Sequence, residues 1–186
     1  MTTDINDSFD KFVNRWLRYQ AQENIHLLLD SDAQWPSPAE DGQPDESGKV
    51  RWQPVRQNQN HDLQALVDGL GLQPDKQLES YYTRYYGDNL NARTTRGDLQ
   101  LLVPWNQDDF IRLQENLIAH VMMKRRLRQA ETLFFAVTDE EDFILSVLND
   151  TGEVALEQVG KEPQEILANS LAEFLDTLQP VAYEAQ

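Results

Sequence analysis

Three histidines, no cysteine and a large excess of carboxylates are the residues of this 186-residue chain that could do chemistry. His26, His61 and His120 stand far apart, none of them in an H-E-x-x-H helix, and no G-x-S-x-G elbow, P-loop or glycine-rich dinucleotide fingerprint occurs. Without a thiol there is no cysteine nucleophile, thiolate zinc site or disulfide framework. Asp108 and Asp109 could supply metal oxygens or an acid–base pair. Neighbours on a helix, however, point about 100° apart, and carboxylates at a helix N-terminus already serve its macrodipole. His120 falls on the apolar edge of the same helix, the setting of a packed, hydrogen-bonded core histidine. These residues predict a protein that is not an enzyme, with no catalytic residue, metal or cofactor.

Charge says more. Thirty-two acids against sixteen bases leave a net charge of −16, which repels nucleic acid and anionic lipid and suits either solubility or a basic protein partner. From Glu131 to Gln186 there are thirteen acids and the single base Lys161. Within that third, "FFAVTDEEDFILSVLND" (residues 134–150) sets Asp139 to Asp142 between two β-prone runs, as the wet tip of a hairpin. The basic cluster "KRRLR", Lys124 to Arg128, could meet phosphate, but cations belong at a helix C-terminus for the same electrostatic reason that acids belong at the start. Tyr81, Tyr82, Tyr85 and Tyr86 would alternate on a strand, one of each pair packed and the other free to stack on a partner.

The elements that must position these groups follow from periodicity. Ile5, Phe9, Phe12, Trp16 and Leu17 recur at helical spacing, predicting an N-terminal helix capped near Thr3 and running to about Leu29. Asp30 to Asn60 is rich in Pro, Gly, Ser and acids, with four prolines that interrupt any regular ladder, and reads as a long mobile loop (about residues 31–48). A short strand "KVRWQPV" follows, then a brief helix in "HDLQALVDGLG" ended by Gly69 or Gly71. "LESYYTRYYGD" is β-prone, and "GDLQLLVPW" is a strand stopped by Pro104. Phe110, Leu113, Leu117 and Val121 mark a long helix capped by Asn106. Three strands, "ETLFFAVT", "FILSVLN" and "EVALEQV", form an antiparallel meander whose second turn uses Gly152. A last helix is expected from Pro163 to Pro180. The fold class is α+β: a single domain over residues 1–186, with a mostly antiparallel mixed sheet flanked by helices. No segment has the roughly 20 apolar residues that span a bilayer, and the acidic N-terminus does not read as a signal peptide, so a soluble chain that is not exported is expected.

Several motifs, in order, resemble one family: "RWQP" at Arg51 to Pro54, "YYT" at Tyr81 to Thr83, "QENLIAH" at Gln114 to His120, "TLF" at Thr132 to Phe134, "TGEV" at Thr151 to Val154 and "LAEFL" at Leu171 to Leu175. From about Trp52 to Pro180 the chain resembles the Syd family of SecY-interacting proteins of gamma-proteobacteria. The resemblance implies a single α/β domain related to the SUKH superfamily, with a concave acidic groove. It further implies a non-enzymatic protein at the cytoplasmic face of the bacterial inner membrane, peripheral through its partner. That groove would receive the basic cytosolic loops of the translocon subunit SecY, in quality control or negative regulation of the Sec translocase. The acidic loop from Asp30 to Gly48 and the segment "NARTTRG" fall outside the motifs, and Arg84, Arg93 and Arg96 add positive charge near the expected groove.

Asp88 and Asp98, which follow glycines in "YGDN" and "RGDL", are the expected groove lining, with Asp108, Asp109 and Glu115 at the start of the long helix. Two other functions stay open at this point. A SUKH-type immunity protein could plug a basic toxin or nuclease with the same acidity, and a metal-dependent hydrolase is formally allowed.

Overall fold

The computed structural model describes residues 4–185, so the Thr3 cap expected above lies outside the described residues. Helix α1 is Ile5–Gln22, capped by the Asp4 carboxylate, which accepts from the Asn6 N–H. Phe9, Phe12, Val13 and Trp16 form its buried face. It stops short of Leu29 because Asn24 turns out of the helix at φ 56°, and Leu28–Asp30 is instead strand β1. Two more short strands, β2 (Glu40–Asp41) and β3 (Lys49–Trp52), complete a small antiparallel sheet in the order β1-β3-β2. The acid-rich segment, expected to carry no ladder, thus supplies an edge strand. All four prolines between Asp30 and Asn60 stand outside the paired residues, where the missing N–H costs nothing. The "KVRWQPV" run divides at Gln53–Pro54, and β4 (Val55–Arg56) pairs with β5 (Tyr85–Tyr86).

Helix α2 (Gln64–Leu70) ends at Gly71 in the left-handed region, φ 65°, where a side chain would be strained. The next segment departs from expectation: "KQLESYY" is helix α3 (Lys76–Tyr82), nucleated by Asp75, whose carboxylate accepts from the Leu78 N–H. That cap, followed by Glu79 in the first turn, outweighs the β propensity of the tyrosines. All four tyrosines are buried rather than one of each pair. Tyr81 and Tyr82 donate to the carbonyls of Leu102 and Phe134, and Tyr85 to Asp10, while the Tyr86 hydroxyl meets His61. None is left to stack on a partner.

The main sheet has seven strands. β6 (Leu90–Thr94), β7 (Gly97–Leu101), β8 (Thr132–Thr138), β9 (Phe143–Leu148), β10 (Val154–Gln158) and β11 (Glu165–Ala168) run as a meander. β12 (Gln179–Pro180) returns to the outer edge of β6. Every described pairing is antiparallel, so the sheet is not mixed. β8 and β9 shift register between Phe134 and Ala136, and Phe135, at the bulge, drops between Tyr81 and Phe174. The β9–β10 turn places Gly152 at φ 78°.

The single C-terminal helix expected from Pro163 is three elements. Residues 165–168 complete the open edge of β10, and helix α5 is only Leu171–Thr177, capped by Ser170. The start is capped much as in a capping box: the Ser170 hydroxyl accepts from the Glu173 N–H, and the Glu173 carboxylate accepts from the N–H of Asn169, one residue before the cap. That signal was present in the sequence and marks the true start. Helices cover both faces of the sheet. Phe135 meets α3 and α5 on one side, while on the other α4 (Gln107–Arg126) lays His120 against Phe134. The result is one α+β domain.

Candidate functional site

Helix α4 begins where the sequence requires. The Asn106 side chain accepts from the Asp109 N–H at 2.8 Å and its amide donates to the Pro36 carbonyl at 2.8 Å. One residue thereby caps the helix and pins the Pro-rich segment to it. The Trp105 indole N–H gives a second tether at the Trp35 carbonyl, 2.9 Å, and the Ser37 hydroxyl a third at the Trp105 carbonyl. Between the tethered segment, the helix start and the loop before β6 lies a cleft of about 550 Å³. Its lining holds five carboxylates, Asp30, Asp32, Glu40, Asp88 and Asp109, against one base, Arg112. Trp35, Trp105, Leu102 and Phe134 supply apolar wall. Like charges gathered against a low-dielectric wall focus a negative field.

Each carboxylate is held differently. Asp88 accepts from the Asn89 N–H at 2.9 Å through one oxygen and from the Tyr183 hydroxyl at 2.6 Å through the other. Burial and the neighbouring Asp88 charge push the Tyr183 hydroxyl far above its ordinary range, so it remains a donor. Tyr183 itself is locked by Gln20, whose side chain binds both the Tyr183 N–H and the Val181 carbonyl. Asp109 accepts from the Trp105 N–H at 2.8 Å and from Arg112 at 2.7 Å. Asp30 pairs with Lys49 at 3.0 Å while remaining almost fully exposed. Glu40 is fixed by the register of β2, opposite Trp52.

The five residues read from the sequence do not converge. Asp88 and Asp109 line the cleft together. Asp98 lies in a second, smaller pocket of about 210 Å³, where Arg93 grips it through two nitrogens and holds its carboxyl below the usual range. Asp108 and Glu115 are exposed on α4 and line neither. Asp139 and Glu140 of the acidic tetrad also rim the smaller pocket, over a floor that includes Leu99, Leu145 and Leu156. The sequence reading missed Asp30, Asp32 and Glu40. The available signal was Trp35, a large aromatic in a segment otherwise too polar to bury anything.

The basic cluster divides as well. Arg125 pairs with Glu131 and donates to the Leu70 carbonyl, and Arg126 and Arg128 are exposed, but Lys124 is completely buried. Its ammonium donates to the Lys161 carbonyl at 2.8 Å and lies 3.5 Å from Glu157 Oε1. Thr132 gives its one hydroxyl proton to Glu157 at 3.1 Å, which leaves its oxygen to accept from His120 Nε2 at 2.9 Å. His120 is thus the hydrogen-bonded core histidine expected. Burial alone would raise the Glu157 pKa; His120, the Lys124 ammonium and Thr132 outweigh it and lower it. These groups line neither cleft, so this is a structural cluster and not an acid–base pair within reach of a substrate in either.

A family model described as Syd protein (SUKH-2) matches residues 6–180. The chain belongs to the Syd family. It is 47% identical over 181 residues to Protein Syd of Alteromonas mediterranea, covering 97% of this chain and 99% of that protein. It is 42% identical over 182 residues to Protein Syd of Pseudoalteromonas atlantica, covering 97% and 98%, and 37% identical over 190 residues to Protein Syd of Colwellia psychrerythraea, covering 95% and 94%. The match takes in all five cleft carboxylates, including the segment the motifs had left out. These relatives carry the name of a family rather than of a reaction. Among the described residues, no helix is long and apolar enough to cross a membrane.

Proposed function

We propose that this chain is a non-enzymatic binding protein that receives Lys- and Arg-rich cytosolic loops of the translocon subunit SecY in the acidic cleft. On this reading it sits at the cytoplasmic face of the inner membrane, held there through its partner, and inspects or restrains the Sec translocase. The observation that carries the reading is the cleft lining of five carboxylates against one base, beside two tryptophans. Cytosolic loops of membrane proteins are rich in Lys and Arg, and the net charge of −16 steers them in. SecY is the partner that the resemblance to the family implies, and membership in that family supports the reading without naming a partner itself. Asp88 and Asp109 are contact residues on this reading; Asp98, Asp108 and Glu115 contribute only to the longer-range field.

Binding to SecY-containing translocon in nanodiscs, followed across a salt series, tests it. Exposed pairs contribute about 0.2–1 kcal/mol each, so single neutralisations at Asp30, Asp32, Glu40 or Asp88 should weaken binding about 1.5- to 5-fold, and the four combined on the order of 100-fold. Charge reversal at Asp108 or Glu115 should slow association and leave dissociation nearly unchanged. Salt-insensitive retention, or no retention at all, would sink the proposal. A SUKH-type immunity role for the same cleft also requires no retention.

A further inference from the structure

We infer that Arg112 is an internal stand-in for the partner's cation: a side chain that occupies the acidic cleft when it is empty and swings out when a basic segment enters. The inference rests on the acidic-cleft reading above and names how that site is regulated. Among the described residues, Arg112 is the one base in the lining. Its Nη2 donates to Asp109 Oδ1 at 2.7 Å, and its guanidinium carbon lies 5.7 Å from the centre of the Trp35 ring. Those are the contacts, a carboxylate and an aromatic face, by which a Lys or Arg of a partner would be recognised.

The chain's own cation is held loosely enough to leave. Its side chain is 66% exposed, and among the described residues Nε and Nη1 make no hydrogen bond. Asp109 does not need it for position, since the other carboxylate oxygen is fixed by the Trp105 N–H and the backbone is fixed by the Asn106 cap. A pair three residues apart whose cation is mostly in solvent is weak and open to screening, although Asp109 itself is partly buried. Arg112 therefore protects Asp109 and Trp35 at small cost and must be displaced by any cation that uses them. It raises the threshold a ligand must pass: a single stray cation gains little by exchanging with it, whereas a loop carrying several can replace it and satisfy the other carboxylates too.

The test measures a fluorescein-labelled hexa-arginine peptide against wild type, Arg112→Gln, Arg112→Lys and Arg126→Gln, each across a salt series. Arg126 is exposed at the other end of α4, so Arg126→Gln makes the same change in net charge away from the cleft. Arg112→Gln should bind about three- to tenfold more tightly than wild type, from release of the competing pair and of its repulsion, with a steeper salt dependence. Arg112→Lys, which keeps the charge and a donor for the single Asp109 contact but loses the planar group over Trp35, should fall between wild type and Arg112→Gln. Thermal unfolding should be unchanged in all three, because nothing buried is touched. If wild type binds and Arg112→Gln binds no better, or if Arg126→Gln gains as much, the inference is overturned while the cleft reading stands. If no variant binds the peptide, the cleft reading and this inference fall together.

Discussion

Lys124→Ala should destabilise the fold by about 3–5 kcal/mol, the cost of leaving one member of a buried ion pair without the other. Over a chain of this length that lowers Tm by roughly 6–20 °C. The same substitution at Arg126 or Arg128, two and four residues further along a seemingly uniform basic run, should change stability by no more than about 0.5 kcal/mol. The difference is burial. Lys124 and Glu157 have fully buried side chains, and among the described residues Glu157 Oε2 already lacks a hydrogen-bond partner, so removal of the ammonium takes away the Lys124 charge 3.5 Å from the carboxylate. Replacing both, Lys124→Met with Glu157→Gln, should recover much of the loss, and a double-mutant cycle measures the coupling.

The same cluster sets a pH dependence of known sign. Glu157 has its pKa lowered in the folded state, so the native protein holds fewer protons there than the unfolded chain does. Its contribution to stability is therefore present above the unfolded carboxylate range and is lost as pH falls through the folded value. Denaturant unfolding at descending pH should show the gap between wild type and Lys124→Ala narrowing, because protonated Glu157 has no charge for the ammonium to balance. A gap that widens in acid would contradict the assignment.

Trp52→Ala should cost a comparable amount, about 3–5 kcal/mol, and should abolish the cleft along with it. Trp52 is 2% exposed and packs on Trp16, Trp105 and Tyr183 with ring centres 5.9, 6.4 and 5.1 Å away. It ties the small sheet to α1, to the loop before α4 and to Tyr183 in the segment after β12. Through β3 it also faces Glu40 in register, and its ring lies so close to Gly87 that a Cβ there would come within 3.0 Å. Glu40, in register with Trp52, and Asp88, next to Gly87, both line the cleft, and both lean on this one indole. Unfolding in denaturant and binding of a basic peptide should fail together in Trp52→Ala. In Trp52→Phe, which keeps an aromatic plug, both should be partly retained. Loss of stability with unchanged peptide affinity at a temperature where the variant is folded would show that the cleft does not depend on this contact.

How much of this was legible beforehand depends on the range of the forces involved. Helix α4, its Asn106 cap and the three-strand meander follow from period and turn chemistry, which act within a few residues. The misread segments are those where a local cap or a distant edge overrides propensity. Asp75 turned the tyrosine run into helix α3, and the open edge of β10 drew residues 165–168 out of a helical pattern. The acidity of the cleft was legible in sign but not in place: Asp88 and Asp109 line it together, whereas Asp98 pairs with Arg93 and Asp108 and Glu115 are exposed and line neither cleft.

The sequence by itself determined the net charge of −16, the absence of thiol chemistry, the helical and strand periods and, through a series of ordered motifs, the family. Only the tertiary structure decided which acids share a surface and which cation is buried. Asp30, Asp32 and Glu40 join Asp88 because Ser37, Trp35 and Asn106 bind a polar segment down across about 70 residues of sequence. Lys124 is core rather than surface because Glu157, 33 residues further on, faces it from β10. Charge is a property of each residue alone, and its total can be read at once. What a charge meets depends on contacts that exist only after the chain has closed on itself.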